Sequence, residues 1–286
     1  MTRQVFWNGR FVQEDEARIP VMDRGLLFGD AIYEVTAMVE GRPIDNDLHL
    51  ARLARSLEQL RIALPMPMTQ IKAMQRDLVA RQGMTDGTIY LQVSRGAEER
   101  NFLPSTDMKP NFLAFLQPKT LTANPALKAG VSVALLPDPR WARRDIKTVM
   151  LLGQVMLKQQ AREEGFDDVW MHEDGCVTEG GSSTAFAVTR DGTLVTRPNS
   201  PAILPGCTRQ RVLDIATREG IPVDERPIAL CEIDDLAEAF LTSASSLVQP
   251  VVQIGRTKIA DAMMGPVTRR LQQLYLEFAL SGDRII

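Results

Sequence analysis

Short alternating stretches and longer helical patterns follow one another along the chain. Polar and apolar residues alternate over 4–12 through Asn8-Gly9, which predicts a β-hairpin. Leucines at 50, 53, 57 and 60 recur with a helical period and predict a helix over 47–62. The same reasoning predicts further strands at 31–39, 88–95, 111–117, 130–136, 168–172, 185–189, 193–196 and 238–242, and further helices at 68–82, 153–164, 208–219 and 265–280.

The order of these elements bears on the fold class and the domains. Strands and helices are mixed without strict strand–helix–strand alternation, so we expect an α+β fold rather than a doubly wound parallel sheet. A chain of 286 residues is long for one hydrophobic core and suits two domains. The polar, proline-bounded stretch PKTLTANP at 118–125 is the best candidate for a linker. We therefore predict an N-terminal domain at 1–118, a linker at 119–126 and a C-terminal domain at 127–286.

Composition argues against several classes of function. The net charge of −3 gives a nucleic-acid partner no general electrostatic attraction. The two histidines, His49 and His172, are too few for a histidine-rich metal site, and we expect no metal. The cysteines at 176, 207 and 231 lack a CxxC spacing and suit a reducing compartment. The N-terminal sequence lacks the apolar core of a signal peptide, and no run is long enough to cross a bilayer, so we expect a cytoplasmic protein without membrane association.

Lysine is scarce, with 7 lysines against 26 arginines, which narrows the search for a catalytic amine. Lys147 ends the segment RRDIK and is followed by the largely apolar TVMLLG. Partial desolvation and the neighbouring Arg143 and Arg144 would both favour the neutral amine that a nucleophilic lysine requires. The local pattern leaves open the alternative of a solvated lysine at the end of a strand.

Three segments rich in small polar residues lie downstream, at 179–184, 204–209 and 242–246. Such segments expose backbone N–H groups, and Thr208 is predicted to open a helix whose N-terminus favours an anion. Each segment alone is more typical of an ordinary loop or helix cap. Together the three suggest a phosphorylated small molecule without identifying it.

An ordered set of motifs is more specific. The set comprises DRG at 23–25, FGD at 28–30, YEV at 33–35, HLARL at 49–53, IYLQVSRG at 89–96, RWARRDIKTVMLLGQVMLKQQA at 140–161, VTEGGSS at 177–183 and LPGCTR at 204–209. In this order, over about residues 5–275, the motifs resemble the fold-type IV aminotransferases, which depend on pyridoxal phosphate, and most closely their D-amino-acid aminotransferase branch. The resemblance implies a smaller N-terminal and a larger C-terminal α/β domain, with the cofactor between the two domains, and a homodimer.

The resemblance also implies roles for individual residues. Lys147 matches the Schiff-base lysine, which moves the proton between the substrate Cα and the cofactor C4′. Glu179 matches the carboxylate that keeps the pyridine nitrogen protonated and so makes the ring a better electron sink. Arg52 matches the arginine that grips the phosphate with two hydrogen bonds. Cys207 is expected to give a backbone N–H, and Thr208 an N–H and a hydroxyl, to the same phosphate.

Three further positions are expected to contact the cofactor, namely Leu204, Ser243 and Ala244. The family commonly has a threonine at the position that aligns with Ala244, so here the phosphate gains only a backbone N–H unless Ser243 or Ser245 substitutes. We expect this departure to weaken the affinity for the phosphate modestly. The alternative is that the alignment is shifted by one residue.

The substrate side of the site is expected to involve Tyr33, Arg100 and Phe102. Tyr33 matches an aromatic residue of the carboxylate pocket, and Arg100 matches an arginine that the D-selective branch brings from the partner subunit. An arginine fork aimed at an α-carboxylate fixes the amino acid and decides which Cα hydrogen faces Lys147. The family's best-known members have a histidine where this chain has Phe102, and the loop is one residue shorter here.

These residues lead to an expected function with open alternatives. We expect transamination between a D-amino acid, of the D-alanine type, and a 2-oxo acid such as 2-oxoglutarate. A branched-chain L-amino-acid aminotransferase, an (R)-amine transaminase or an aminodeoxychorismate lyase would keep the fold and cofactor with a different pocket. Arg100 and the segment RWARRDIK favour the D-selective alternative, whereas Phe102 favours plain amines. A non-enzymatic phosphate-binding or pyridoxal-carrier protein would not need both Lys147 and Glu179.

Overall fold

The computed structural model describes residues 3–285 of the chain, which divide into two compact units. The first unit contains the described residues up to 120 together with 146–150 and 282–285, and the second contains 121–145 and 151–281. The predicted domain bounds, 1–118 and 127–286, stay a prediction; the two units differ from them by grouping 146–150 and 282–285 with the N-terminal part of the chain.

The first unit is built on an antiparallel sheet. Its strands are β1 (Gln4–Trp7), β2 (Arg10–Gln13), β3 (Ala31–Val39), β4 (Arg42–Pro43), β5 (Gly87–Ser94) and β6 (Asn111–Pro118), and its helices are α1 (Arg24–Phe28), α2 (Asn46–Leu60) and α3 (Met68–Gln82). Within the described residues the strand order is β2-β1-β6-β5-β3-β4. The predicted hairpin is confirmed as β1 and β2, which are joined by Asn8 and Gly9 with φ of 46° and 89°.

The core of the first unit explains why 146–150 belongs to it. Three of the leucines that predict α2, at 50, 53 and 57, are buried in a cluster with apolar side chains of the sheet, and Ile146 lies in the same cluster. Residues 147–149 then pair with the start of β3, where β4 does not reach. The Tyr33 N–H donates to the Lys147 carbonyl at 3.0 Å, and the Val149 N–H donates to the Ala31 carbonyl at 3.1 Å. Burial of Ile146 and these two hydrogen bonds fix the segment.

The second unit combines helices with a mixed sheet. Its strands are β7 (Val131–Pro137), β8 (Asp168–Glu173), β9 (Cys176–Gly180), β10 (Thr184–Val188), β11 (Leu194–Thr196), β12 (Val223–Glu225), β13 (Glu238–Ser243), β14 (Leu247–Ile254) and β15 (Thr257–Lys258), and its helices are α4 (Ala126–Ala129), α5 (Leu152–Glu163), α6 (Cys207–Arg218) and α7 (Pro266–Ser281). In the part of the chain that is described, the order is β12-β11-β10-β13-β14-β7-β8-β9, with β15 beside β14. The neighbours β14, β7 and β8 are parallel and most others antiparallel. The α+β class is thereby confirmed.

Two features are absent from residues 3–285. None of the helices in this range is both long and apolar enough to cross a membrane. The same residues contain no group of three or more histidine, cysteine, aspartate or glutamate side chains placed to hold a metal ion.

Candidate active site

Lys147 lies beside Tyr33 in the first unit. Its side chain is half-buried, and its Nζ lies 4.1 Å from the centroid of the Tyr33 ring. The Tyr33 ring also stacks on the ring of Tyr90, with the two ring centroids 5.6 Å apart. The backbone hydrogen bond between Tyr33 and Lys147 fixes these two residues relative to each other, so the Lys147 amine lies against the Tyr33 ring.

The expected positive potential next to Lys147 is not present in the form that the sequence suggested. Arg143 donates from Nε and Nη2 to the carboxylate of Asp145 at 3.0 and 3.2 Å. Arg144 donates from Nη1 and Nη2 to Glu173 at 2.8 and 3.0 Å. Each guanidinium is therefore paired with a carboxylate, which offsets the positive potential that Arg143 and Arg144 were expected to add beside Lys147.

Arg52, the predicted phosphate ligand, belongs to a buried charged trio. It lies on α2, and its Nε and Nη2 donate to the two carboxylate oxygens of Glu34 on β3 at 2.7 and 2.8 Å. His49 Nδ1 lies 2.8 Å from Glu34 Oε2. Burial alone would raise the pKa of Glu34, but the charge and hydrogen bonds of Arg52, with those of His49, lower it to about 2. Glu34 therefore stays ionised and fixes the plane of the Arg52 guanidinium.

Glu179, the predicted partner of the pyridine nitrogen, is buried at the end of β9. It is 4% exposed, and its Oε1 accepts a hydrogen bond from Arg140 Nη1 at 2.5 Å. The Leu204 N–H donates to both carboxylate oxygens at 3.2 Å. Burial raises the pKa of Glu179, while the charge and hydrogen bond of Arg140 and the Leu204 N–H oppose this rise. Within the described residues, Oε2 accepts only from Leu204, so it retains capacity for another donor.

Arg140 in turn is held by Asp138, which follows β7. The Nε and Nη2 of Arg140 donate to the two Asp138 oxygens at 2.9 and 2.7 Å, and the Thr178 hydroxyl donates to Asp138 at 2.7 Å. Burial would raise the pKa of Asp138, but these hydrogen bonds and the Arg140 charge bring it below its ordinary value. Arg140 therefore joins two buried carboxylates. The sequence reasoning missed this pair, although a charged DPR directly after the apolar β7 was a signal for it.

The chain turns tightly directly after Glu179. The Gly180 N–H donates to the Ser183 carbonyl at 2.8 Å. A Cβ on Gly180 would collide with the present position of the Ser183 hydroxyl oxygen, so the turn favours glycine. The run EGGSS is thus explained by a turn that ends β9 at the carboxylate and starts β10.

The segment LPGCTR forms the start of α6. Cys207 and Thr208 are its first residues, and both are buried. Their N–H groups lie in the first helical turn, where no intrahelical acceptor exists. A Cβ on Gly206 would lie 2.8 Å from the Thr184 hydroxyl oxygen, which leaves no space for a side chain. Arg209 donates to the Arg197 carbonyl at 2.9 Å and so anchors this helix start.

The third small-polar segment follows β13. Ser243 Oγ accepts hydrogen bonds from the N–H groups of Ser245 and Ser246 at 3.2 and 3.1 Å, so this hydroxyl organises the turn that contains Ala244. The buried Thr242 hydroxyl has no hydrogen-bond partner among residues 3–285. The sequence did not single out Thr242, because β-branched residues are common in strands.

Arg100 and Phe102 lie on an exposed loop of the first unit. The Cζ of Arg100 is 5.1 Å from the Phe28 ring centroid and 5.5 Å from that of Phe102. Phe102 is 79% exposed. The two residues therefore contact each other, and their role towards a substrate stays a prediction.

Two comparisons with known proteins show the kind of enzyme, and a third shows the fold. A family model described as amino-transferase class IV matches residues 31–254. A D-alanine aminotransferase from Staphylococcus haemolyticus is 34% identical over 271 residues, which cover 94% of this chain and 95% of that protein. The branched-chain amino acid aminotransferase of Escherichia coli superposes with a TM-score of 0.90 at 22% identity, over 97% of this chain and 94% of that one. The branched-chain enzyme of Thermobaculum terrenum, solved in its PLP form, gives 0.87 at 22% identity, over 99% and 95%.

Proposed function

This chain belongs to the class IV aminotransferase family, and we propose that it transfers an amino group between a D-amino acid of the D-alanine type and a 2-oxo acid such as 2-oxoglutarate. The family and the D-alanine aminotransferase relatives support amino-group transfer, and those relatives also support the D-configuration. The proposal includes pyridoxal phosphate as cofactor, a homodimer and a cytoplasmic location.

The residues described above fit pyridoxal phosphate. A pyridine nitrogen needs a buried carboxylate with a free lone pair, as Glu179 Oε2 provides. A phosphate needs N–H and hydroxyl donors, as the first turn of α6 and Thr208 provide. When bound, the cofactor supplies an aldehyde for an amine and a ring that withdraws electrons from the substrate Cα.

Each protein group then has a definite task. Lys147 would hold the cofactor aldehyde through its amine. Once freed by the substrate amine, the same Lys147 amine would take the proton from the substrate Cα and deliver a proton to the cofactor side of the pair. Glu179 would face the ring nitrogen and favour its protonated form, and the charge and hydrogen bond of Arg140 oppose the rise in the Glu179 pKa that burial causes. Arg52, Cys207 and Thr208 bind the phosphate. Ser243 and the backbone of Ala244 supplement them, and the Leu204 N–H orients Glu179.

The observation that carries the proposal is the buried Glu179 carboxylate, clamped by Arg140 and Leu204, with one oxygen able to accept a further hydrogen bond. A carboxylate desolvated to this degree is costly unless a cation shares the site. Arg140 is already shared with Asp138, so a second cation such as a pyridinium would balance the charges.

A second candidate function is the transamination of (R)-amines that lack a carboxylate. The observation that favours it is the apolar surface of Phe102 beside Arg100, where a polar residue would help to bind a carboxylate. Tyr33, Arg100 and Phe102 remain the residues that we propose for substrate contact in either case.

The experiment combines a lysine variant with three substrates. Recombinant protein supplied with pyridoxal phosphate should absorb visible light. Lys147→Ala should lose this absorbance and its turnover, whereas Lys72→Ala, at an exposed lysine paired with Asp47, should keep both. D-alanine, L-leucine and (R)-1-phenylethylamine are then assayed side by side with 2-oxo acids.

The outcomes separate the alternatives. Turnover of D-alanine alone supports the proposal, and turnover of L-leucine alone contradicts the D-selective part of it. Turnover of (R)-1-phenylethylamine without D-alanine supports the second candidate. Activity of Lys147→Ala equal to that of the unmodified protein would refute the mechanism.

A further inference from the structure

The residues 97–105, which we call the Arg100 loop, follow β5 and its extension at Arg95 and Gly96. Most of the loop is exposed, and it has no regular helix or strand. Inside the loop, Glu98 accepts hydrogen bonds from the Ser105 N–H and hydroxyl, the latter at 2.7 Å, and Asn101 accepts from the Leu103 N–H at 3.2 Å. These hydrogen bonds join residues within the loop and do not connect it to the rest of the first unit.

Arg24 makes the side-chain contacts that tie the loop down. Its side chain is 5% exposed, and its Nη1 donates to Glu98 Oε1 at 3.2 Å and to the Asn101 carbonyl at 2.5 Å. Its Nη2 donates to the Phe102 carbonyl at 3.1 Å. Among residues 3–285, no other side chain outside the loop has a hydrogen bond to it. The three acceptors therefore include the carbonyls of two consecutive loop residues, Asn101 and Phe102.

Arg24 is itself held by residues outside the loop. Its Nε donates to Asp30 at 2.9 Å, and its backbone N–H donates to the Gly96 carbonyl at 2.8 Å. Its Cζ lies 4.6 Å from the centroid of the Phe28 ring, the same ring that Arg100 approaches to 5.1 Å. A planar guanidinium with five N–H donors suits this task, because one group reaches three loop acceptors while it stays paired with Asp30.

We propose that Arg24 is a positioning residue, which holds the Arg100 loop so that Arg100 and Phe102 keep one arrangement over Phe28. This inference rests on the proposed function for its catalytic consequence, since Arg100 matters for turnover only where a substrate carboxylate is bound. Its structural part, that Arg24 orders the loop, does not depend on the substrate.

Removal of Arg24 should loosen the loop without unfolding the unit. Asp30 keeps a bidentate partner in Arg95, which donates at 2.7 and 3.0 Å. Glu98 keeps its hydrogen bonds to Ser105, and the released carbonyls belong to exposed residues that water can reach. The loss of three hydrogen bonds from a charged donor should raise the open population of the loop at least about tenfold.

Limited trypsin digestion of the holoenzyme measures this opening, because Arg100 is a trypsin site on a loop that is exposed within the single chain, and all variants are compared at one protein concentration so that dimerisation affects them equally. The rate at which the fragment ending at Arg100 forms, followed by mass spectrometry, reports the open population when cleavage is slow. Arg24→Met should raise this rate at least about tenfold over the unmodified protein. Arg24→Lys, which retains the charge but not the fork, should also raise it, and it decides the question if Arg24→Met does not fold.

The matched control is Arg95→Met. Arg95 also pairs with Asp30 and donates to the carbonyls of Leu60 and Arg61, but it has no side-chain contact with the loop. Its cleavage rate at Arg100 should stay within about twofold of the unmodified protein. Rates within about twofold for both Arg24 variants, or an equal rise in Arg95→Met, would overturn the inference.

Kinetics add a second readout that a merely structural role would not give. In Arg24→Lys, the KM for D-alanine should rise about tenfold while kcat changes less, because the loop contributes to binding rather than to proton transfer. If the unmodified protein does not turn over D-alanine, the proposed function fails, and the trypsin result still decides whether Arg24 holds the loop.

Discussion

The buried pair of Glu34 and Arg52 provides a test of the site that needs no substrate. The pKa of Glu34 falls from an ordinary 4.5 to about 2, because Arg52 and His49 outweigh the cost of its burial. A shift of about two and a half pKa units corresponds to about 3 kcal/mol of stabilisation at neutral pH. We therefore expect Glu34→Gln to lower the free energy of unfolding of the apoprotein by about 3 kcal/mol at pH 7.

The pH dependence has a definite sign. Since the folded-state pKa lies below the unfolded-state value, the stabilisation is complete well above pH 4.5 and is lost as the pH falls towards 2. About 2 kcal/mol of it should disappear between pH 5 and pH 3 in the unmodified protein. Glu34→Gln should lack this part of the acid dependence, because the amide does not titrate.

Urea unfolding followed by circular dichroism, at one protein concentration and at pH 7, 5 and 3, measures both effects. Glu58→Gln makes the same chemical change on the exposed side of α2 and should alter stability by less than about 0.5 kcal/mol. A loss below about 1 kcal/mol in Glu34→Gln, or an acid dependence equal to that of the unmodified protein, would refute the reasoning. A weaker affinity for pyridoxal phosphate should accompany the loss, since Arg52 would no longer be oriented.

Two further predictions concern the second unit. Arg140→Gln should raise the pKa of Glu179 further and lower kcat/KM at pH 7 about 100-fold, with partial recovery as the pH rises and Glu179 ionises. The pH–rate profile checks this, with the exposed Arg143→Gln as control, and an unshifted profile would contradict it. Gly206→Ala should push the Thr184 hydroxyl and weaken cofactor binding about tenfold in a fluorescence titration. Gly153→Ala, where a Cβ meets nothing closer than 3.4 Å, should leave the affinity unchanged, and an equal effect of both would refute the steric argument.

Strands and helices were predictable from sequence where one continuous segment contained the whole hydrophobic pattern and its turn residues. The hairpin of β1 and β2 and the helix α2 follow from local alternation, a turn dipeptide and leucine spacing. The sequence reasoning missed β14, which contains Pro250 although it lies between β13 and β7. Proline inside a run normally argues against a central strand, and only the tertiary pairing overrides that preference.

The site shows the same limit at the level of single residues. Lys147, Glu179 and Thr208 could be predicted because each belongs to a characteristic sequence motif. The charged partners of site residues lie far away in sequence: Glu179 contacts Arg140, 39 residues away, and Arg52 contacts Glu34, 18 residues away. No periodicity encodes such a pair, because it arises when strands of one sheet, or a strand and a helix, bring two buried charges together.

D-amino acids, L-amino acids and amines would be distinguished by the few atoms of the protein that contact the substrate carboxylate or take its place. This chain is 34% identical to an enzyme named for D-alanine, and it superposes on an enzyme named for branched-chain amino acids with a TM-score of 0.90. Stereochemistry depends on which Cα hydrogen faces the lysine amine, and this is decided by the group that holds the substrate carboxylate. In this chain the proposed group is Arg100, on a loop whose only side-chain hydrogen bonds to the rest of residues 3–285 come from Arg24. The choice of substrate should therefore respond to Arg24 and Phe102, while the ability to bind pyridoxal phosphate should not.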